Sequence, residues 1–168
     1  MSTRIICHCL LVLLCTGCAT TPSPAKTIII PAGYDRAYDE YHYSPVVRVG
    51  DTVIVSGIPA GGTGTYEEQI RRMFERLKVT LAAAGADISD VVEITTFHQN
   101  VKDTQAFDDE FDRFLKVYDD YFPTKDYPAW TAVGGITLLS PGAPVEMRAV
   151  AVVGSGKHVT VKRESAAH

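Results

Sequence analysis

The sequence predicts an α+β fold in which a mixed sheet carries two helices on one face. Three observations point there. Short β-branched runs recur along the chain, two segments repeat apolar residues every three or four positions, and the two kinds follow the order ββαβαββ. Two helices can cover only one face of such a sheet. The other face needs a second covering layer, and packing against further copies of the chain is the economical solution.

The elements follow in order. "VVRVGDTVIVSG" holds two apolar runs around Gly50-Asp51, and a Gly-X pair suits a tight hairpin, so strands are expected at about 45–49 and 52–56. "PAGGTGT" then reads as a flexible loop. Thr65-Tyr66-Glu67-Glu68 is a capping box that opens a helix. Its apolar face is Tyr66, Ile70, Met73, Phe74, Leu77, Leu81 and Ala84, and Gly85 stands where a helix ends. "SDVVEITTF" is a strand running to about His98. Asp103-Thr104 caps a second helix with the stripe Phe107, Phe111, Phe114, Leu115 and Tyr118, and Pro123 stops it. Asp108, Asp109, Glu110 and Asp112 between these aromatics read as a solvated face. "AWTAVGGITLL" and "VEMRAVAVV" are expected as two strands joined by the turn "SPGAP". The last residues, 154–168, read as a loose polar tail.

Composition narrows the function. The chain has 168 residues with 21% charged and 46% hydrophobic, enough for one core-forming domain. A net charge of −4 offers no basic footprint, so nucleic acid is not the expected partner. There is no phosphate-binding glycine loop. No cofactor is expected. No second His stands at ligand spacing from His98, which reads as an edge or interface residue, and no metal site is expected.

The N-terminus is a targeting segment. Arg4 is followed by an apolar run from Ile5 to Cys15, the length of a signal core and too short to span a bilayer. Thr16-Gly17-Cys18 resembles the end of a bacterial lipobox, although Cys15 takes the place of the usual Leu; the alternative is an ordinary secretory signal cut nearby. All four cysteines lie here, so the folded domain is expected to hold no disulfide and no thiol nucleophile. On this reading, residues 1–17 are removed and Cys18 is lipidated. Residues 18–42 are a tether and entry segment to a domain that faces the periplasm from the bacterial cell envelope, with the membrane reached through the lipid anchor.

Four stretches in this order and spacing resemble the Rid (RidA, YjgF-like) family: "YSPVVRVGDTVIVSG", the capped helix ending "LAAAGA", "DVVEITTF" and "LLSPGAPVEMRAVAVV". The resemblance covers residues 43–153. It implies the Rid/chorismate-mutase-like fold, a homotrimer, and three clefts between neighbouring subunits. It also implies hydrolysis of imines and enamines in those clefts, with release of ammonia and with neither metal nor cofactor.

The chemistry needs a carboxylate to handle the attacking water, a cation to anchor the substrate's own carboxylate, and hydroxyl or amide donors for the remaining polar atoms. By resemblance, Glu146 in "VEMRA" is the water-handling carboxylate and Tyr43 the cleft tyrosine, while Ser56-Gly57 line the cleft. The anchoring Arg of the deaminating branch follows a Pro-Ala pair. Here Pro128-Ala129 leads to Trp130, and Ala132 stands where that branch often has Cys. Indole has one N–H and no charge, so Trp130 cannot replace a guanidinium. Two readings of Trp130 stand: a stacking surface for a flatter, less anionic ligand, or a plug. Arg148 shares a strand face with Glu146, so it is a substitute cation, a same-face ion-pair partner or a trimer contact. Glu146 in turn is either catalytic or paired with Arg148. Tyr43 is a cleft residue or a structural hydroxyl at a subunit boundary. The functions left open are a hydrolase, a ligand-binding trimer and an interaction protein.

Overall fold

A computed structural model describes residues 23–164. The signal segment and Cys18 lie outside the described residues. Six strands form one mixed sheet: β1 Lys26–Ile29, β2 Val46–Val49, β3 Thr52–Pro59, β4 Val91–His98, β5 Ala129–Gly134 and β6 Val145–Val152. Their spatial order is β1-β2-β3-β6-β4-β5, and only β4 and β5 run parallel. Three helices accompany them: the short α1 Asp35–Asp39, then α2 Tyr66–Ala83 and α3 Thr104–Tyr121.

The expected hairpin is present. Gly50, at φ +59°, turns β2 into β3, a conformation that costs glycine least. The capping box of α2 forms in full: the Glu68 N–H donates to Thr65 Oγ1 and the Thr65 N–H to Glu68 Oε2. At its other end Gly85 is left-handed at φ +77°. The Ala86 N–H donates to the Leu81 carbonyl and the Gly85 N–H to that of Ala82, a complete Schellman closure. Asp103 caps α3 by accepting from the Ala106 N–H at 2.8 Å.

The apolar face of α2 and the residues Phe114, Val117, Tyr118 and Tyr121 of α3 pack on Val53, Val55, Ile94, Met147 and Ala149 of the sheet. Phe107 and Phe111, expected in the buried stripe, are half-buried; Val117 joins the stripe and Tyr121 carries it beyond Tyr118.

Among the described residues nothing covers the opposite sheet face. Ile28, Val47, Ile54 and Val150 lie side by side across four strands there, and Ile54 is 40% exposed. A continuous aliphatic row of this kind marks a surface built for contact.

Three expectations are corrected. Residues 26–39 are more than a tether, because β1 pairs along the whole of β2 and α1 follows it. The last two strands are not a hairpin: β6 inserts between β3 and β4, while β5 lies on the far side of β4. β5 also ends at Gly134, leaving Leu139 almost fully exposed. The tail is not loose from its start. The Asp90 carboxylate accepts the Gly156 N–H at 3.0 Å, and Ser155 Oγ donates to the Asp90 carbonyl.

Candidate functional site

Glu146, Gly57, Ser56 and Tyr43 come together where the β3–β6 ladder is irregular. The register shifts between Val55 and Ile58, and Glu146 is opposite Pro59. Such bulges re-aim side chains beside functional sites. Because Gly57 has no Cβ, the Glu146 carboxylate lies directly over its backbone; an added Cβ would stand 2.8 Å from Glu146 Cδ and closer still to Oε1. Burial pushes the Glu146 carboxyl above the usual carboxylate range. None of the ion pairs among the described residues includes it. It is a half-buried carboxylate without a cation, the state that favours proton transfer.

Tyr43 is held at the mouth of this site. Its N–H donates to the Ala37 carbonyl of α1 at 3.0 Å, and His42 before it takes a left-handed φ of +57°. Burial, then the neighbouring Tyr34, then the charge of Glu146 hold its phenol above its ordinary value. It therefore stays protonated and can donate to a ligand. Ser56 locks the two segments together: its Oγ donates to the Ser44 carbonyl at 2.8 Å and its N–H to that of Pro45. The Ser56 hydroxyl proton is thus committed to backbone, leaving its lone pairs as acceptors.

Trp130 and Arg148 do not complete this constellation within one chain. Trp130 sits opposite Ile94, which sits opposite Ala149, whereas Glu146 is an odd number of residues from Ala149 and faces the other side of the sheet. The indole instead fills the space under α3. It stacks on Tyr118 at 4.8 Å and contacts Phe111 and Phe114. Its Nε1–H donates to Thr96 Oγ1 at 3.0 Å. In the protomer Trp130 is therefore a packing residue. Arg148 does share the open face with Glu146, but Nη1 donates to Glu93 Oε1 at 3.3 Å. Of the alternatives for these two residues, the Glu146–Arg148 pair does not form, since the guanidinium reaches across to β4 instead.

The chain can now be compared with known proteins. The family described as Endoribonuclease L-PSP matches residues 35–153. The chain belongs to this family, also called Rid or YjgF. RutC family protein YjgH of Escherichia coli K12 is 34% identical over 131 residues, spanning 75% of this chain and 94% of that protein. The solved structure titled protein YJGH superposes with a TM-score of 0.64 at 32% identity, covering 76% of this chain and 96% of its own. A protein of Dermatophagoides farinae named 2-iminobutanoate/2-iminopropanoate deaminase is 30% identical over 118 residues, 66% of this chain and 85% of that one.

Within this Rid domain, sequence reasoning missed a buried polar chain beneath the site's strand. His98, expected at an edge, is fully buried. Its Nδ1 is 2.8 Å from Glu110 Oε1 and its Nε2 is 2.9 Å from Thr96 Oγ1. The Tyr66 hydroxyl also donates to Glu110. One donor order satisfies every member: Trp130 N–H to Thr96, Thr96 O–H to His98 Nε2, and His98 Nδ1–H to Glu110. Glu110, assigned to a solvated face, in fact turns inward to terminate this chain. The spacing of Thr96 and His98, two apart on one strand face, was the only sequence signal for it.

Proposed function

We propose that this Rid protein hydrolyses small imines or enamines to a carbonyl compound and ammonia, in clefts between the subunits of a homotrimer. The observation that carries this is the Glu146 carboxylate, half-buried over Gly57 with its carboxyl raised by burial and with the protonated Tyr43 beside it. When ionised, Glu146 takes a proton from a water molecule as the water oxygen bonds to the imine carbon. Protonation of the nitrogen and collapse of the carbinolamine then expel ammonia and leave the carbonyl: C=NH and H2O become C=O and NH3. Tyr43 donates to a polar atom of the substrate. The deaminase names carried by several relatives support this reading. The uncovered aliphatic sheet face supports assembly, which would also bring the elements of one subunit against the open face of the next.

Trp130, where the deaminating branch has its anchoring Arg, alters the substrate. Loss of a buried bidentate contact to a carboxylate costs about 2–5 kcal/mol, so a less anionic imine is the preferred class. The packing of Trp130 under α3 favours the second reading, a trimer that holds a ligand without turnover. The net charge of −4 argues for a small-molecule partner over RNA. The domain's place is the bacterial envelope, tethered to the membrane through a lipid on Cys18 and facing the periplasm.

The deciding experiment measures ammonia release from 2-iminopropanoate-type substrates by the wild type, Glu146→Ala and Trp130→Arg. Catalysis by Glu146 requires a fall of about 10²–10⁴-fold in Glu146→Ala. An unchanged rate in that variant removes Glu146 from the mechanism, and wild-type ammonia release no faster than buffer leaves the binding reading.

A further inference from the structure

One cavity among the described residues lies away from Glu146. A groove of about 730 Å³ opens at the other end of β4, beside Val91 and Val92, walled by the residues before β5 and by the chain after β6. Six residues of strand separate Val91 from Phe97, the residue opposite Glu146, which is about 20 Å at strand rise. Within one chain the groove therefore stands apart from Glu146.

Its chemistry is two-sided. Val92, Tyr127, Val159 and Val161 all line it, and each is 40–65% exposed, unusual for large apolar residues gathered in one place. Lys125, Lys162 and Arg163 line the same groove. The ion pairs among the described residues include none of these three cations. Asp126 is the one acidic residue of the lining, and its carboxylate already accepts from the Thr124 hydroxyl. In a protein of net negative charge, this is a local surplus of cations against an apolar wall. Lys125 also holds a left-handed backbone, φ +61°. That conformation is costly for a residue with a Cβ, and such outliers gather at ligand clamps.

We propose that this groove binds an amphiphilic organic anion, with its carboxylate or phosphate on Lys125, Lys162 and Arg163 and an aliphatic body on the wall of Tyr127, Val159 and Val161. The site carries its own optical reporter. Tyr127 lies 5.9 Å from Tyr118, which stacks on Trp130, the single tryptophan of the chain.

The test is a fluorescence titration of the full chain with octanoate and octyl phosphate below their micellar range, beside octanamide and inorganic phosphate. Saturable changes with both amphiphilic anions, and none with octanamide or inorganic phosphate, are expected. Lys162→Glu with Arg163→Glu should weaken binding at least tenfold, and so should Tyr127→Ala. Lys125→Gly, which suits the left-handed backbone, should weaken it severalfold without disturbing the fold. Rising ionic strength should weaken octanoate binding to the wild type as well. Equal binding of octanamide, or full affinity in the charge-reversed variant, overturns the anion site. An equal response to inorganic phosphate overturns the apolar half. Because Glu146 is remote, Glu146→Ala should bind these probes as the wild type does; loss of binding there would assign them to the other site.

Discussion

The carboxylate of Glu146 occupies the space that a side chain on Gly57 would take. The first prediction follows from that contact. The obstructed group is the far end of a flexible side chain, so Gly57→Ala should fold, with a loss below about 1 kcal/mol. It should nevertheless displace the carboxylate and lower turnover or ligand affinity about as much as Glu146→Ala. Thermal melts and ammonia release, measured on the same samples, separate the two effects. A fully active Gly57→Ala would show that the placement of Glu146 is unimportant.

Burial raises the Glu146 carboxyl above the ordinary carboxylate value. A carboxyl raised on folding binds its proton more tightly in the native state, so its contribution to stability is full below the unfolded value and is lost as pH rises through the folded one. Glu146→Gln should therefore flatten the pH dependence of stability above pH 4.5 and be at least as stable as the wild type at neutral pH. Urea titrations across pH 4 to 8 read both. Activity has the opposite sign, because the base works only when ionised: the rate should rise as pH passes through the raised value.

Thr96 accepts from Trp130 and donates to His98 inside the core. Thr96→Val keeps the shape but strands both partners. A cost of about 1–3 kcal/mol is expected, together with a shift of the Trp130 emission. Thr96→Ser, which keeps the hydroxyl, should restore most of both.

Ile54 stands in the aliphatic row of the uncovered face. If the proposed trimer forms through that row, Ile54→Asp should be monomeric in light scattering and lose activity with the proposed intersubunit cleft. A trimeric Ile54→Asp would move the interface elsewhere.

Local chemistry was readable from the sequence wherever a few neighbouring residues decide the outcome. The Gly50 turn, the Thr65–Glu68 box, the Gly85 closure and the Asp103 cap are all of this kind. Resemblance named Tyr43, Ser56, Gly57 and Glu146 as one site, and it is the β3–β6 bulge that lays Glu146 over Gly57. What escaped depends on partners distant in the chain. Trp130 and Glu146 face opposite sides because of strand order, which periodicity does not encode. Glu110 sits among acidic neighbours and reads as solvated until His98 is known to lie beneath it. Arg148 chose Glu93 over Glu146 because β4 is adjacent, another consequence of order. The tail anchored by Asp90 could not be read from a polar composition alone.

The strand order has a consequence for how the molecule is made. β6, built from residues 145–152, lies between β3 and β4, which have no ladder with each other. Until that segment leaves the ribosome, the chain holds two half-sheets, β1-β2-β3 and β4-β5, with no hydrogen-bonded ladder between them. The last strand is a keystone. A chain ending before it should be a target for proteases rather than a smaller working domain, and Glu146, borne on that strand, arrives only when assembly is complete.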